Sequence, residues 1–235
     1  MKKSILLLTG IVSLFSFQAI SQQVVLIPER TFSRDMGMNT AEREENPNIE
    51  GSKYIYENYQ QAKLSTHPNI LFNVRYNAYN DDIEVQGANN TSYALNKYGG
   101  TIIVTMLTGE NYINSKYVDD KENIKTGFFE VLNTSGDFFL LKKQTVFVKE
   151  KEIAKTTYHK DKPAKYVKSS DEYFVKVNDL TANKIPKKNK EFANLFPQEK
   201  EAILSFIKSE KIKLKKEEDL IKVFKHIEKL RKDSK

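Results

Sequence analysis

The densest run of chemically capable side chains is Arg75-Tyr76-Asn77-Ala78-Tyr79-Asn80-Asp81-Asp82-Ile83-Glu84. It places a guanidinium, two phenols and three carboxylates on one short stretch. Arg75, Tyr76, Tyr79, Asp81, Asp82 and Glu84 are therefore the ligand-binding candidates of the chain. Asp81, Asp82 and Glu84 offer oxygens of the kind calcium takes, about six to eight at a time. Their spacing does not match an EF-hand loop, and no glycine lies among them, so no metal is assigned. The competing expectation is a structural corner. Asn and Asp side chains bond their own backbone in turns. On that view Phe72, Val74 and Tyr76 face inward on one strand, and Ile83 and Val85 on the next. Asp82 and Glu84 face outward, Arg75 pairs with a neighbouring carboxylate, and Asn77, Asn80 and Asp81 hold the turn.

Other catalytic groups are scattered. His67, His159 and His226 have no metal-ligand spacing among them. Neither a Gly-x-Ser-x-Gly elbow nor a phosphate-loop or dinucleotide glycine pattern occurs. The chain has no cysteine, which excludes thiol nucleophiles, disulfides, iron–sulfur clusters and cysteine-based zinc sites. No catalytic residue and no cofactor is assigned. A hydrolase would have to assemble from distant positions, with His67 or His159 beside an acid. Tyr54, Tyr56, Tyr59, Tyr76 and Tyr79 offer either a ring-lined groove for a glycan or peptide, or half-buried sheet surface.

The elements that must position these groups follow from periodicity. Leu71–Tyr76 alternates and predicts a strand, as do Asp82–Gln86 and the short Ser92–Leu95. Thr101–Leu107 is nearly all apolar or β-branched, which predicts a central strand buried on both faces. Tyr112–Ile113 and Tyr117–Val118 follow. Gly127–Leu132 and Asp137–Lys142 flank Asn133-Thr134-Ser135-Gly136 and predict a hairpin. Thr145–Val148 and Tyr173–Val177 add strands on either side of a Lys-rich link, 149–170. Strands about ten residues apart, with no helical pattern between them, predict an antiparallel meander.

The C-terminal quarter changes period. A helix is expected from Pro197 to about Ser209, striped by Ala202, Ile203, Phe206 and Ile207. A second is expected from about Lys216 to Lys232, striped by Leu220, Ile221, Phe224, Ile227 and Leu230. Glu217-Glu218-Asp219 in its first turn favours the helix dipole. The expected fold class is α+β: an antiparallel β-meander sheet of about seven to nine strands, possible to curl, with a C-terminal helical hairpin packed on it.

Gly51-Ser52-x-Tyr54, the stretch Val74–Val85, Gly127–Leu132 and the Lys-rich helical end together resemble a family of exported proteins of Bacteroidota. The resemblance spans roughly residues 51–225, and the stretch around Tyr76 carries most of it. Those proteins usually have Pro and Leu where this chain has Lys53 and Ile55. The family has no assigned activity, so the resemblance implies compartment and lineage and carries over no functional residue.

Compartment is also written at the N-terminus. Met1-Lys2-Lys3, the apolar run Ile5–Phe17 and the small-x-small site Ala19-Ile20-Ser21 match a secretory signal peptide cleaved near Ser21. The run is shorter than the ~20 residues a membrane span needs, and no transmembrane segment is expected in the mature chain. The expected organisation is a signal peptide at 1–21, an extended or mobile leader at 22–50 and one α+β domain at 51–235. Within that domain 51–180 is β-rich and 196–232 is the hairpin. The expected location is periplasmic or extracellular.

Charge is uneven along the chain. Residues 22–141 carry 10 basic and 16 acidic side chains, and residues 142–235 carry 26 and 15. The basic C-terminal half fits an envelope protein or an anionic surface as partner. No nucleic-acid recognition motif is present. Three functions stay open: a non-enzymatic envelope protein that binds a partner or ligand, a periplasmic small-ligand or lipid carrier with an apolar cavity, and the scattered hydrolase.

Overall fold

The computed structural model describes residues 38–40, 48–88, 91–135, 138–154, 160–178 and 180–233. The expected signal segment, the apolar Val24–Ile27, most of the leader and His159 lie outside the described residues.

Two short pairing segments come first, β1 (Asn39–Thr40) and β2 (Ile49–Glu50). Alternation then builds hairpins. β3 (Gln60–Leu64) buries Ala62 and Leu64 and exposes Gln61 and Lys63. It turns tightly into β4 (His67–Asn77), which buries Phe72, Val74 and Tyr76. β5 (Asp82–Gln86), β6 (Ser92–Ala94), β7 (Ile103–Met106) and β8 (Asn111–Val118) continue the chain. β9 (Ile124–Ser135) and β10 (Phe138–Lys143) form the expected hairpin, but β9 runs on to Ser135, which pairs with Phe138. β11 (Val146–Lys149), β12 (Ala164–Lys168), β13 (Glu172–Val177) and β14 (Asn183–Lys184) complete the strands.

Eleven strands form one sheet in the order β1-β6-β5-β4-β3-β7-β8-β9-β10-β13-β14, every neighbour antiparallel. The two-residue edge strands β1 and β14 account for the excess over the nine expected at most. The sheet curls into a half-barrel. At its C-terminal end it returns on itself: Ala182 N–H donates to the Lys116 carbonyl (2.8 Å), and Val118 N–H donates to the Ala182 carbonyl (3.2 Å). Side chains of Phe129, Phe174 and Tyr117 fill that curl edge to face.

β7 corrects the expectation of a strand buried on both faces. It lies centrally in hydrogen-bonding order, between β3 and β8. It buries only Val104 and Met106, while Ile103 and Leu107 are 44% and 56% exposed. An antiparallel sheet can leave one face to solvent. The Lys-rich link holds a strand that composition hid. β12 pairs antiparallel with β11 and parallel with β2, making a three-stranded second sheet. Val146 and the half-buried Tyr166 of this sheet pack against the core of the first.

The C-terminal helices are α1 (Asn189–Ala193), α2 (Lys200–Ser209) and α3 (Glu217–Asp233). Phe192, Phe196, Ile203, Leu220, Val223 and Phe224 are buried against Phe138, Leu140 and Val175 of the sheet. The α2–α3 hairpin thus packs as expected, with Val223 added to the stripe. α2 ends in a Schellman turn. Ile212 N–H reaches the Ile207 carbonyl (3.0 Å), and Lys211 takes the left-handed position (φ 53°). No helix among the described residues is long and apolar enough to cross a membrane.

Candidate functional site

The Arg75–Glu84 stretch forms the end of β4, a turn and the start of β5. Its carboxylates do not converge; each goes to a different partner. Glu84 was expected outward but is only 3% exposed. Arg75 donates Nε and Nη2 to its Oε2 (3.0 and 2.8 Å), and Asn77 Nδ2 donates to Oε1 (3.0 Å). The Tyr54 hydroxyl adds a bond of 3.2 Å. Residues 51–59 cover this face, which places the Arg75 guanidinium between the rings of Tyr54 (3.7 Å) and Tyr59 (4.3 Å). Burial and the Glu84 charge hold the Tyr54 phenol well above its ordinary pKa. Asp82 instead pairs with Lys97 (2.9 Å).

Asp81 takes the left-handed conformation (φ 57°) and turns its carboxylate toward β9 and β10. It accepts from the Tyr76 hydroxyl (2.7 Å) and the Phe128 N–H (3.1 Å), and it pairs with the buried Lys143 ammonium. Lys143 also donates to the Phe128 carbonyl (3.0 Å) and lies 4.9 Å from the Phe129 ring. Burial lowers the Lys143 pKa, opposed by Asp81. Burial, reinforced by Asp81, raises that of Tyr76. Gly127 makes room for the pair: a Cβ there would overlap the Asp81 carboxylate and stand 2.6 Å from Lys143 Nζ. Side-chain bonding to the turn backbone comes from Asn77, whose Oδ1 accepts from the N–H groups of Tyr79 (3.2 Å) and Asn80 (3.1 Å). The Asn80 side chain, expected to share that role, is exposed, and its carbonyl accepts from Lys97. The stretch therefore works as a corner that ties the two halves of the sheet together.

The tyrosines do not form one groove. Tyr54 and Tyr59 clamp Arg75, Tyr76 is in the core, and Tyr79 packs edge-on against Tyr166. His67 lies 3.0 Å from the Thr66 hydroxyl and packs against Phe72. His226 stacks flat on Phe206 at 4.0 Å.

A different place has the properties of a binding site. A cleft of about 310 Å³ opens between the β6–β7 loop and strands β8, β9 and β13. Lys97, Lys116 and Lys176 line it, with Tyr98, Thr101 and Thr126, and no carboxylate belongs to its lining. Asn114 on β8 fixes the loop. Its Nδ2 donates to the carbonyls of Lys97 (2.8 Å) and Gly100 (2.6 Å), and its Oδ1 accepts from the Ile102 N–H (2.6 Å). Lys176 is 6% exposed and has no hydrogen bond or ion pair among the described residues; its ammonium lies 5.7 Å from the Phe139 ring. A larger cleft of about 640 Å³ lies beside the α2–α3 link, lined by Tyr173, Lys184, Ile212 and Leu214 among others. Its charge is mixed: Asp171 and Glu172 share the wall with Lys184, Lys187, Lys213 and Lys215, and Lys184 pairs with Glu172 and with Asp120 (2.7 Å).

No protein-family profile, curated protein or solved structure matches this chain. The site is argued from its own geometry. None of the six sequence candidates lines the smaller cleft; Asp82 and the Asp81 carbonyl reach it only through Lys97. A usable signal was present at Lys176. Alternation over Glu172–Val177 puts it on the face of the buried Phe174, an expensive place for an ammonium.

Proposed function

We propose that this chain is an exported, non-catalytic envelope protein that holds a ligand in the lysine-lined cleft. The observation that carries the proposal is a concavity walled by three lysines and no carboxylate, on a loop pinned by Asn114. Preorganised polar groups of one sign bind a ligand without rearrangement. His67 and His226 are engaged by neighbours, which supports binding over turnover. The concave side of the sheet is filled by Phe72, Tyr76, Tyr112 and Phe128, which favours a site on the wall over a lipid-filled interior. Export and the Bacteroidota lineage come from the N-terminal pattern and the resemblance around Tyr76.

The test is incubation of the purified protein with a small-molecule extract, followed by native mass spectrometry. The expected outcome is one retained compound, chemically unchanged, that is lost from the Lys176→Met protein. Conversion of a compound to product, dependent on His67, would contradict the proposal.

A further inference from the structure

We infer that the cleft between the β6–β7 loop and β8 binds a phosphate monoester group; the inference rests on the binding function proposed above. The ammoniums of Lys116 and Lys176 and the hydroxyls of Tyr98, Thr101 and Thr126 have no hydrogen-bond or ion-pair partner among the described residues. Lys97 differs: its ammonium donates to Asp82 and to the Asp81 carbonyl, both at 2.9 Å, so it braces the loop. Two ammoniums that can only donate, beside hydroxyls that can also donate, favour a ligand group rich in acceptors.

Lys176 makes the need for an anion specific. Its stem is buried by the sheet while its ammonium lines the cleft, 5.7 Å from the Phe139 ring and with no carboxylate partner among the described residues. An ammonium held in place this way is positioned for an anion that enters the cleft. Among small acceptor groups, a phosphate monoester brings the most charge, about −1.5 to −2 near neutral pH, on three strong acceptor oxygens. The wall supplies ammoniums as point charges and no guanidinium. The arginine fork matches carboxylate and phosphate alike, and lysine serves a phosphate as a point charge, so charge and not planar geometry is what this wall offers.

Size and shape agree. About 310 Å³ is at the small end of ligand pockets, enough for the phosphate and a short polyol or single ring. Tyr98, 76% exposed, offers a ring face at the mouth. Gly100, at φ 118° with no atom within 4 Å of where its Cβ would stand, leaves the rim open.

Isothermal titration at low ionic strength tests the inference with glycerol phosphate, inorganic phosphate, glucuronate and vesicles containing phosphatidate. Glycerol phosphate is expected to bind one-to-one and to weaken as salt rises. Lys176→Met should weaken it at least about tenfold, a loss of about 1.4 kcal/mol. Lys116→Ala should weaken it several-fold, and Lys215→Met in the other cleft should change nothing. The melting temperature of ligand-free Lys176→Met should stay close to that of the parent, since the ammonium has no ion-pair partner among the described residues to lose. Should Lys176→Met not fold, Lys116→Ala carries the test. Binding of phosphatidate vesicles alone, lost in the same variants, supports the same chemistry with a lipid headgroup as source. Glucuronate binding through Lys176 without phosphate binding would overturn the phosphate assignment and leave the binding function standing. No Lys176-dependent binding of any of the four would overturn both.

Discussion

Asp81 and Lys143 show how one residue pair fixes the register of distant strands. Removing one partner of a buried ion pair costs about 3–5 kcal/mol, because the other is left uncompensated. Asp81→Ala is therefore expected to destabilise by about 3 kcal/mol, somewhat relieved by the lowered Lys143 pKa, which lets that lysine shed its proton. Gly127→Ala should cost a similar amount, because its methyl displaces the pair. Asp82→Ala removes a half-exposed pair and should cost about 1 kcal/mol or less. Urea melts of the three variants check the order; equal losses would contradict it. Sequence singled out this stretch correctly as the densest polar run, but read it by alternation alone. Alternation puts Glu84 on the outer face, which is true, and cannot show that residues 51–59 cover that face. The cover depends on contacts such as Ile55 N–H to the Tyr76 carbonyl (3.1 Å), about twenty residues apart.

At the scale of elements, strong periodicity was legible and weak periodicity was not. The stripes of α2 and α3 were read because each repeats over several turns and faces one sheet. β3 was missed because Gln60-Gln61-Ala62-Lys63-Leu64 buries only two side chains, one of them alanine. β12 was missed because lysines alternate with its apolar residues, and one of its two pairing partners, β2, is over one hundred residues away. The helix–sheet contact buries many large apolar side chains. Phe224 touches Phe192 and Phe196 at ring distances of 6.2 and 5.9 Å and is fully buried. Phe224→Ala should therefore destabilise by about 3–5 kcal/mol. An unchanged denaturation midpoint would mean that the hairpin does not pack on the sheet.

Over the whole molecule, the acidic and basic halves of the chain meet. Lys142 bonds Glu130 (2.8 Å), Lys184 bonds Asp120, and Lys143 bonds Asp81. Three of the eleven excess positive charges of residues 142–235 are met in this way, and further lysines pair locally, such as Lys188 with Glu191 and Lys232 with Glu228. Alkaline pH probes the same interior. Burial raises the phenols of Tyr54, Tyr76, Tyr112 and Tyr117, and burial with Glu217 pushes Tyr173 up to about 12. Unfolded tyrosines ionise near about pH 10. Above that pH the folded chain keeps protons that the unfolded chain has lost, so stability must fall as pH rises. Lys143, lowered by burial, acts in the opposite sense below the ordinary lysine value, and is outnumbered. Melting temperature should hold level to about pH 9.5 and fall steadily beyond about 10. A flat profile through about pH 11 would contradict the buried state of these phenols.

The most direct test of the central claim is where a ligand sits. Backbone and lysine-ammonium NMR shifts, followed during titration with glycerol phosphate, report this residue by residue. Shifts are predicted at Lys97–Thr101, Asn114–Lys116, Thr126 and Lys176, with the Lys176 ammonium moving most. Shifts spread over the surface lysines, or centred on Lys213–Lys215 in the larger cleft, would contradict the claim that the lysine-lined cleft is the site.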